Sequence, residues 1–264
     1  MNKIEKRKNA ILEELFSKGE VTVDRLTQKL NVSRVTICRD LEVLETIGLL
    51  IRTKGGALTK IERGDISPLI IRGNENHLEK QRIGRYAASL INDGDIVGMD
   101  TGSTILEISK FIVPNKKFTL ITNNLSIIFN ISNNLNINTI IPGGVIDQRE
   151  QTLVGDIAMR SLQSLFLDKL FLGISGIDKN RGITDNNAEL IQIKQCLILN
   201  SKKVIIVSDS SKIGRINLIL VCQLKNIHSL ITDKKPNDDF IRAMKSGKVI
   251  IEVVNEDGTV NRYD

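Results

Sequence analysis

The run Ser33-Arg34-Val35-Thr36-Ile37-Cys38-Arg39 places two guanidinium groups and two hydroxyls within about two turns of one helix. Ile37, Leu41 and Leu44 fall at i, i+4 and i+7 and form its buried stripe, so Arg34, Val35, Cys38, Arg39 and Glu42 face outward. Arginines near the start of a short exposed helix suit the major groove. A guanidinium pairs with the acceptors of a guanine edge, while Ser33 and Thr36 bond phosphates or bases. Ser33 also fits the N-cap, its hydroxyl accepting from the backbone of Thr36, worth about 1 kcal/mol. A second set is scattered through the rest of the chain. In Asp100-Thr101-Gly102-Ser103-Thr104 the glycine permits a tight turn, and the amides and hydroxyls of Ser103 and Thr104 open a helix whose dipole favours an anion, a phosphate cradle, with a simple turn and cap as the alternative. Asn123 offers an amide to sugar hydroxyls, Gly143 and Gly144 let backbone approach a ligand, and Lys212 can neutralise a phosphate or bond a hydroxyl. Lys194, between apolar neighbours on an expected helix, is a further candidate, with a snorkelling surface lysine as its commoner explanation.

These residues need elements to hold them. Ile4, Ile11, Leu12, Leu15 and Phe16 recur at helical spacing up to Gly19. Val21-Thr22-Val23 leads into a second short helix with Thr22 as N-cap and Leu26 and Leu30 on its apolar side, and Asn31-Val32-Ser33 breaks it. The third helix ends at Gly48. Residues 49–54, a Gly55-Gly56 turn and residues 57–59 read as a β-hairpin wing, with Arg52 and Lys54 on one side for phosphate contacts. This gives a DNA-binding domain over 1–59, with the helix-turn-helix at about 20–46 and the wing at 49–59. Residues 60–76 are polar and turn-rich, a linker, and 77–264 form a larger domain.

That larger domain opens with helical periodicity over 77–91, through Leu78, Ile83, Tyr86, Ala87 and Leu90. Strands are expected at 96–99, 119–122, 138–141, 169–172, 203–207, 229–232 and 248–253, with helices near 104–112, 124–133, 153–166, 188–199 and 237–246. The alternation implies an α/β fold whose mainly parallel sheet is covered on both faces. Ligands of such sheets bind beyond the carboxyl ends of the strands, where the second set of residues falls.

Composition narrows the class. The chain has 264 residues, 41% hydrophobic, with net charge +6. Residues 1–60 hold 12 Lys/Arg against 8 Asp/Glu, while the remainder holds 25 against 23, so the basic excess sits at the end that would meet a polyanion. Aromatic residues are 3% with no Trp, too few for stacking platforms on single-stranded nucleic acid. Three separated cysteines (Cys38, Cys196, Cys222) and two histidines (His77, His228) give neither a disulfide framework nor a metal-ligand pattern. No metal or cofactor is expected. The polar start lacks the apolar segment of a signal peptide and no apolar run reaches membrane-spanning length, so a cytoplasmic protein without membrane contact is expected.

The segment Val32 to Leu41, followed by Leu44-Glu45, Gly48-Leu49 and Lys54-Gly55-Gly56-Ala57, resembles the N-terminal signature of the DeoR family of bacterial regulators. That family usually has two adjacent arginines where this chain has Cys38-Arg39, implying a different operator base or one fewer phosphate contact. The resemblance continues through Asp93-Gly94-Asp95, Asp100 with Gly102-Ser103-Thr104, Thr122-Asn123, Pro142-Gly143-Gly144, the run 168–173, Gly176-Ile177-Asp178, Asp209 with Ser211-Lys212, and Leu230 to Asp233. It implies a Rossmann-like sensor domain similar to ribose-phosphate isomerases and glucosamine-phosphate deaminases. It also implies an effector site of Asp100, Gly102, Ser103, Thr104, Asn123, Gly143, Gly144, Lys194, Asp209, Ser211 and Lys212. The sensor segments look closest to regulators of hexitol or amino-sugar operons.

The expected function is repression of a carbohydrate uptake and catabolism operon. The partners are double-stranded operator DNA and a phosphorylated sugar or sugar-alcohol effector, and the protein acts as a homo-oligomer, dimer or tetramer, reading inverted half-sites. The alternative is a sugar-phosphate isomerase or deaminase-like enzyme with a DNA-binding appendage, using Asp100 or Asp209 as general base. Against it, neither His77 nor His228 falls in the candidate loops.

Overall fold

The computed structural model describes residues 3–46, 48–59 and 69–264, and the chain divides into units at 1–75 and 76–264. In the first unit, α1 (Lys3–Lys18) precedes β1 (Glu20–Thr22), α2 (Val23–Leu30), α3 (Arg34–Thr46), β2 (Leu50–Thr53), β3 (Gly56–Thr59) and α4 (Leu69–Asn74). Its core is aliphatic: Ile11, Leu12 and Leu15 of α1 meet Leu26, Ile37, Leu41 and Leu44, with Leu50 and Ala57 closing one side. Each large side chain buried there contributes roughly 1.5–3 kcal/mol. Ile4, expected on the stripe, is exposed, because the first turns of α1 offer it only polar and charged company. The side chain of Phe16 lies outside the described residues.

The wing, the strand beside it and the linker all differ from expectation. Thr53 pairs with Gly56, so the wing turns at Lys54-Gly55 and Gly56 belongs to the strand. The strand order is β1-β3-β2, and the segment expected merely to lead into α2 supplies β1. β1 lies so close that a Cβ on residue 56 would come within 1.8 Å of the Val21 carbonyl oxygen, which fixes glycine there. The linker expected over 60–76 carries α4 in its second part, because Leu69 buries its side chain and continuous linker solvation is lost; residues 60–68 lie outside the described residues.

The second unit comprises α5 (His77–Ser89), β4 (Ile96–Met99), α6 (Ser103–Lys110), β5 (Phe118–Thr122), α7 (Leu125–Ile131), β6 (Ile137–Ile140), β7 (Val145–Asp147), β8 (Thr152–Val154), α8 (Asp156–Leu162) and β9 (Leu167–Leu172). β10 (Gly176–Asp178), β11 (Gly182–Asp185), α9 (Ala188–Leu199), β12 (Ser201–Val207), β13 (Ile219–Cys222), β14 (Ser229–Thr232), α10 (Asp238–Ser246), β15 (Ile250–Val254) and β16 (Val260–Tyr263) follow. Eight strands form the main sheet in the order β16-β15-β14-β12-β9-β4-β5-β6. All neighbours are parallel except β15 and β16.

Alternation along the strands feeds two apolar layers. Leu170, Leu172, Val204 and Ile206 face the layer shared with α8, α9 and α10, while Phe171, Ile205 and Val207 face α5, α6 and α7. This is the doubly covered α/β sheet that the sequence implies. Helix α5 lies close on α6: a Cβ on Gly84 would sit 2.7 Å from Cβ of Glu107. Leu78, expected on the buried side of α5, is 67% exposed because it falls opposite Ile83 and Ala87. The helix expected from 153 starts at Asp156, since residues 152–154 pair with β7 as a hairpin strand.

Candidate nucleic-acid interface and ligand site

In the first unit, α3 buries Ile37, Leu41 and Leu44 and leaves Ser33, Arg34, Val35 and Arg39 exposed. Ser33 caps the helix, its Oγ accepting from the Thr36 amide at 3.2 Å, and the two hydroxyls lie 2.8 Å apart. Arg34 pairs with Asp24 of α2; both are exposed, so the pair is weak enough for a phosphate to displace it. Lys54 is exposed at the tip of the wing. Arg52 is half-buried, donating from Nη1 to the Cys38 carbonyl at 3.2 Å, 3.7 Å from Glu42. It braces the wing against α3 and is less free for a phosphate than its spacing suggests.

Three positioning residues escaped the sequence reading. Asp40, on the buried side of α3, takes both arms of the Arg7 guanidinium from α1, one at 3.1 Å. Glu14 is 3% exposed and lies 3.0, 2.6 and 2.8 Å from Lys18, Arg25 and Lys29. The Lys29 hydrogen bond, against burial, holds the Glu14 carboxyl below the usual range. A charged residue within an amphipathic helix reads as solvated until the partner helix is known.

In the second unit the chain runs outward from β4 through β5 and β6, then returns to place β9 on the other flank of β4. The loops after β4 and β9 therefore meet at the switch point of the sheet. They touch backbone to backbone, since a Cβ on Gly173 would lie 2.3 Å from the Thr101 carbonyl oxygen. Gly102 has φ 133°, a conformation costly for any other residue, and heads α6 with no side-chain cap. The first turn of α6, with Ser103 and Thr104, has no side chain capping it, as an anion cradle requires.

Lys194 is a buried residue rather than a snorkelling one. Its Nζ donates to the Gly173 carbonyl at 2.7 Å and to Asp185 at 2.8 Å, and lies 3.3 Å from Asp100. Burial alone would lower its pKa, but Asp100 and Asp185 outweigh that and push it up. The two carboxylates diverge. Burial pushes Asp100 up despite Lys194, whereas Lys194 overcomes burial at Asp185 and holds it down. Neither Asp100 oxygen nor the Asn123 Oδ1 has a hydrogen-bond partner, although each residue is only 1% exposed. Such buried polar atoms are costly unless something pairs with them.

Asn123 donates to the Leu153 carbonyl at 3.1 Å, and its neighbour Asn124 donates to Thr101 at 2.9 Å, tying the β5 loop to the β4 loop. The immediate side-chain neighbours of Gly143 and Gly144 are Ile157 and Ala158. Asp209, Ser211 and Lys212 form a third group after β12. Asp209 accepts from the Ser211 amide at 3.0 Å and from Asn76 Nδ2 at 3.1 Å, while Asp233 accepts from the Ser210 amide at 2.6 Å. Burial opposes ionisation of Asp209, but Ser211, Lys80 and Lys212 prevail and hold its carboxyl low. Asp185, Asn124, Lys80 and Asn76 were not anticipated; Asp185 lies on a short strand within a stretch that shows no clear period.

Residues 7–62 match the DeoR-like helix-turn-helix domain and residues 75–234 the DeoR C terminal sensor domain. The chain is 33% identical over 253 residues to the HTH-type transcriptional repressor GlcR of Bacillus subtilis (strain 168), covering 96% of this chain and 97% of that one. It is 31% identical over 228 residues to the HTH-type transcriptional regulator IolR of the same organism, covering 86% and 90%. Among solved structures it is similar to ribose 5-phosphate isomerase A from Methanocaldococcus jannaschii, with a TM-score of 0.39 and 16% identity over 53% of this chain and 55% of that one. The cap, cationic face and wing of the first unit, and matches that together span most of the sequence, agree: the chain belongs to the DeoR family of transcriptional regulators.

Proposed function

We propose that this protein represses a carbohydrate uptake and catabolism operon and leaves its operator when a phosphorylated sugar or sugar alcohol occupies the larger unit. The observation that carries the reading is α3, whose aliphatic side is fully packed while Ser33, Arg34 and Arg39 stand exposed together. Arg39 and Arg34 reach bases or phosphates there, Ser33 and Thr36 add hydroxyl contacts, and Lys54 follows the backbone from the wing that Arg52 braces. The name of GlcR, a transcriptional repressor, supports the sign.

For the effector, the α6 N-terminus with Gly102, Ser103 and Thr104 takes the phosphate, helped by Ser211 and Lys212. Asp100, held beside the Lys194 ammonium, and Asn123, whose Oδ1 has no hydrogen-bond partner, read hydroxyls. Lys194 and Asp209 hold the two loops in shape, and Gly143 and Gly144 let backbone approach the ligand. Driving a 1:99 equilibrium to 99:1 takes roughly 5.5 kcal/mol of differential binding, which a dimer or tetramer on inverted half-sites spreads over several protomers. No helix among the described residues is long and apolar enough to cross a membrane, and the proposed place of action is the cytoplasm. The protein senses its ligand without turning it over.

The test is a gel shift on a duplex selected by the protein from a randomised pool, titrated with a panel of sugar phosphates and sugar-alcohol phosphates. Release by one member and no turnover of any is expected. Turnover would favour an isomerase or deaminase with a DNA-binding appendage, and release by none would remove the sensing claim.

A further inference from the structure

Asparagine is a strong N-cap because, with a β-region backbone, its side-chain oxygen accepts an amide of the first turn. Asn124, Asn187 and Asn237 do this at φ −93°, −97° and −65°. Asn76 heads α5 and does not. Its backbone is left-handed, φ 50° and ψ 40°, and its side chain makes no cap bond. Instead Nδ2 donates to Oδ1 of Asp209 at 3.1 Å, 133 positions along the chain. The same oxygen accepts from the Ser211 amide at 3.0 Å, in the loop that carries Lys212. Residue 76 is also the first of the larger unit.

The geometry points to Asn76 as a two-position coupling residue, held left-handed by Asp209 and, when released, free to cap α5 as the other three asparagines cap their helices. This rests on the reading of the Asp209–Lys212 loop as part of the effector site. A phosphate at Ser211 and Lys212 sets negative charge beside Asp209 and competes for its donors, which weakens its hold on Asn76. In the capping conformation φ moves from 50° to the neighbourhood of the −93° seen at Asn124, and ψ from 40° towards 117°. The chain on the N-terminal side of residue 76, which leads from the DNA-binding unit, is then redirected. The body of α5 stays in place, because Gly84 is seated against α6. Occupancy of the ligand loop thus reaches the connection through one side chain with two discrete positions, as a switch requires.

Full-length variants and the duplex selected by the wild-type protein test this without any sugar phosphate. Asn76→Asp can cap α5 but cannot donate to Asp209 and is repelled by it; Asn76→Gly tolerates the left-handed backbone without a side-chain bond. Asn76→Asp is expected to raise the duplex Kd roughly tenfold, within the usual range of allosteric coupling, and Asn76→Gly to raise it less, each measured well below its own melting transition. A second arm needs no DNA: in Asp209→Ala, hydrogen exchange at Leu78 and Glu79 is expected to slow as the released Asn76 caps the helix. Wild-type affinity in Asn76→Asp, or unchanged exchange in Asp209→Ala, overturns the proposal. If the wild type selects no duplex, the operator reading fails while the exchange arm still decides the fate of Asn76.

Discussion

Replacing Lys194 by methionine removes a buried charge while conserving most of the volume. Three contacts vanish: the 2.7 Å bond to the Gly173 carbonyl, the 2.8 Å bond to Asp185 and the 3.3 Å approach to Asp100. Removing one partner of a buried ion pair costs about 3–5 kcal/mol, because the remaining charge keeps its desolvation penalty. At about 2–4 °C per kcal/mol for a unit of this size, the melting transition falls by roughly 6–20 °C. The pH dependence carries a sign. In the wild type, the depressed Asp185 adds stability that is present above its unfolded pKa and lost as acid is added through its folded one. The raised Lys194 adds stability that is present below its unfolded pKa and lost only as alkali is added through its folded one. Asp100, raised by burial, already costs some stability once pH exceeds its unfolded pKa. Without the cation the folded-state proton affinity of both carboxylates rises, so the variant loses less stability than the wild type as pH falls. Calorimetry of full-length protein between about pH 5 and about pH 8 should show the larger unit's deficit widest at the alkaline end. A deficit under about 1 kcal/mol, or one that does not change with pH, would refute the buried-pair account.

Arg39→Ala should weaken duplex binding and reduce the slope of log K against log salt by about one unit if this side chain neutralises one phosphate; an unchanged slope would mean it reads a base or nothing. Lys212→Ala should leave the affinity for DNA intact and blunt release by the effector, so paired titrations with and without sugar phosphate check it. Arg7→Met strips Asp40 of its partner and should destabilise the smaller unit by about 3 kcal/mol in urea unfolding, with duplex binding weakened because α3 loses its tie to α1. Equal stability of that variant and the wild type would show the pair to be solvated.

The architecture was legible because both hydrophobic periods are strong here. The Ile37-Leu41-Leu44 stripe fixes which side of α3 is exposed, and the β-branched runs 203–207 and 229–232 coincide with central strands. Short elements that bury little were not legible: β7 and β8 hold three residues each, and β1 owes its existence to β3, 36 positions away. The site was half legible. Gly102-Ser103-Thr104 stands out because turn, cap and helix start are local in sequence. Asp185 and Asn76 do not, because each is defined by a partner, Lys194 or Asp209, that only the folded sheet brings near. Lys194 shows the same limit, since an ammonium among leucines and isoleucines looks identical whether it reaches solvent or a buried carboxylate.

The pairing of β4 with β9, Val97 against Lys169, has a bearing on the order of events during synthesis. Contacts in the smaller unit close over short spans, and chains fold from the N-terminus as they emerge, so that unit is complete long before residue 169 leaves the ribosome. The β4 loop that carries Asp100 then lacks its β9 neighbour. A nascent chain therefore passes through a stage in which the helix-turn-helix unit is finished and the larger sheet is not.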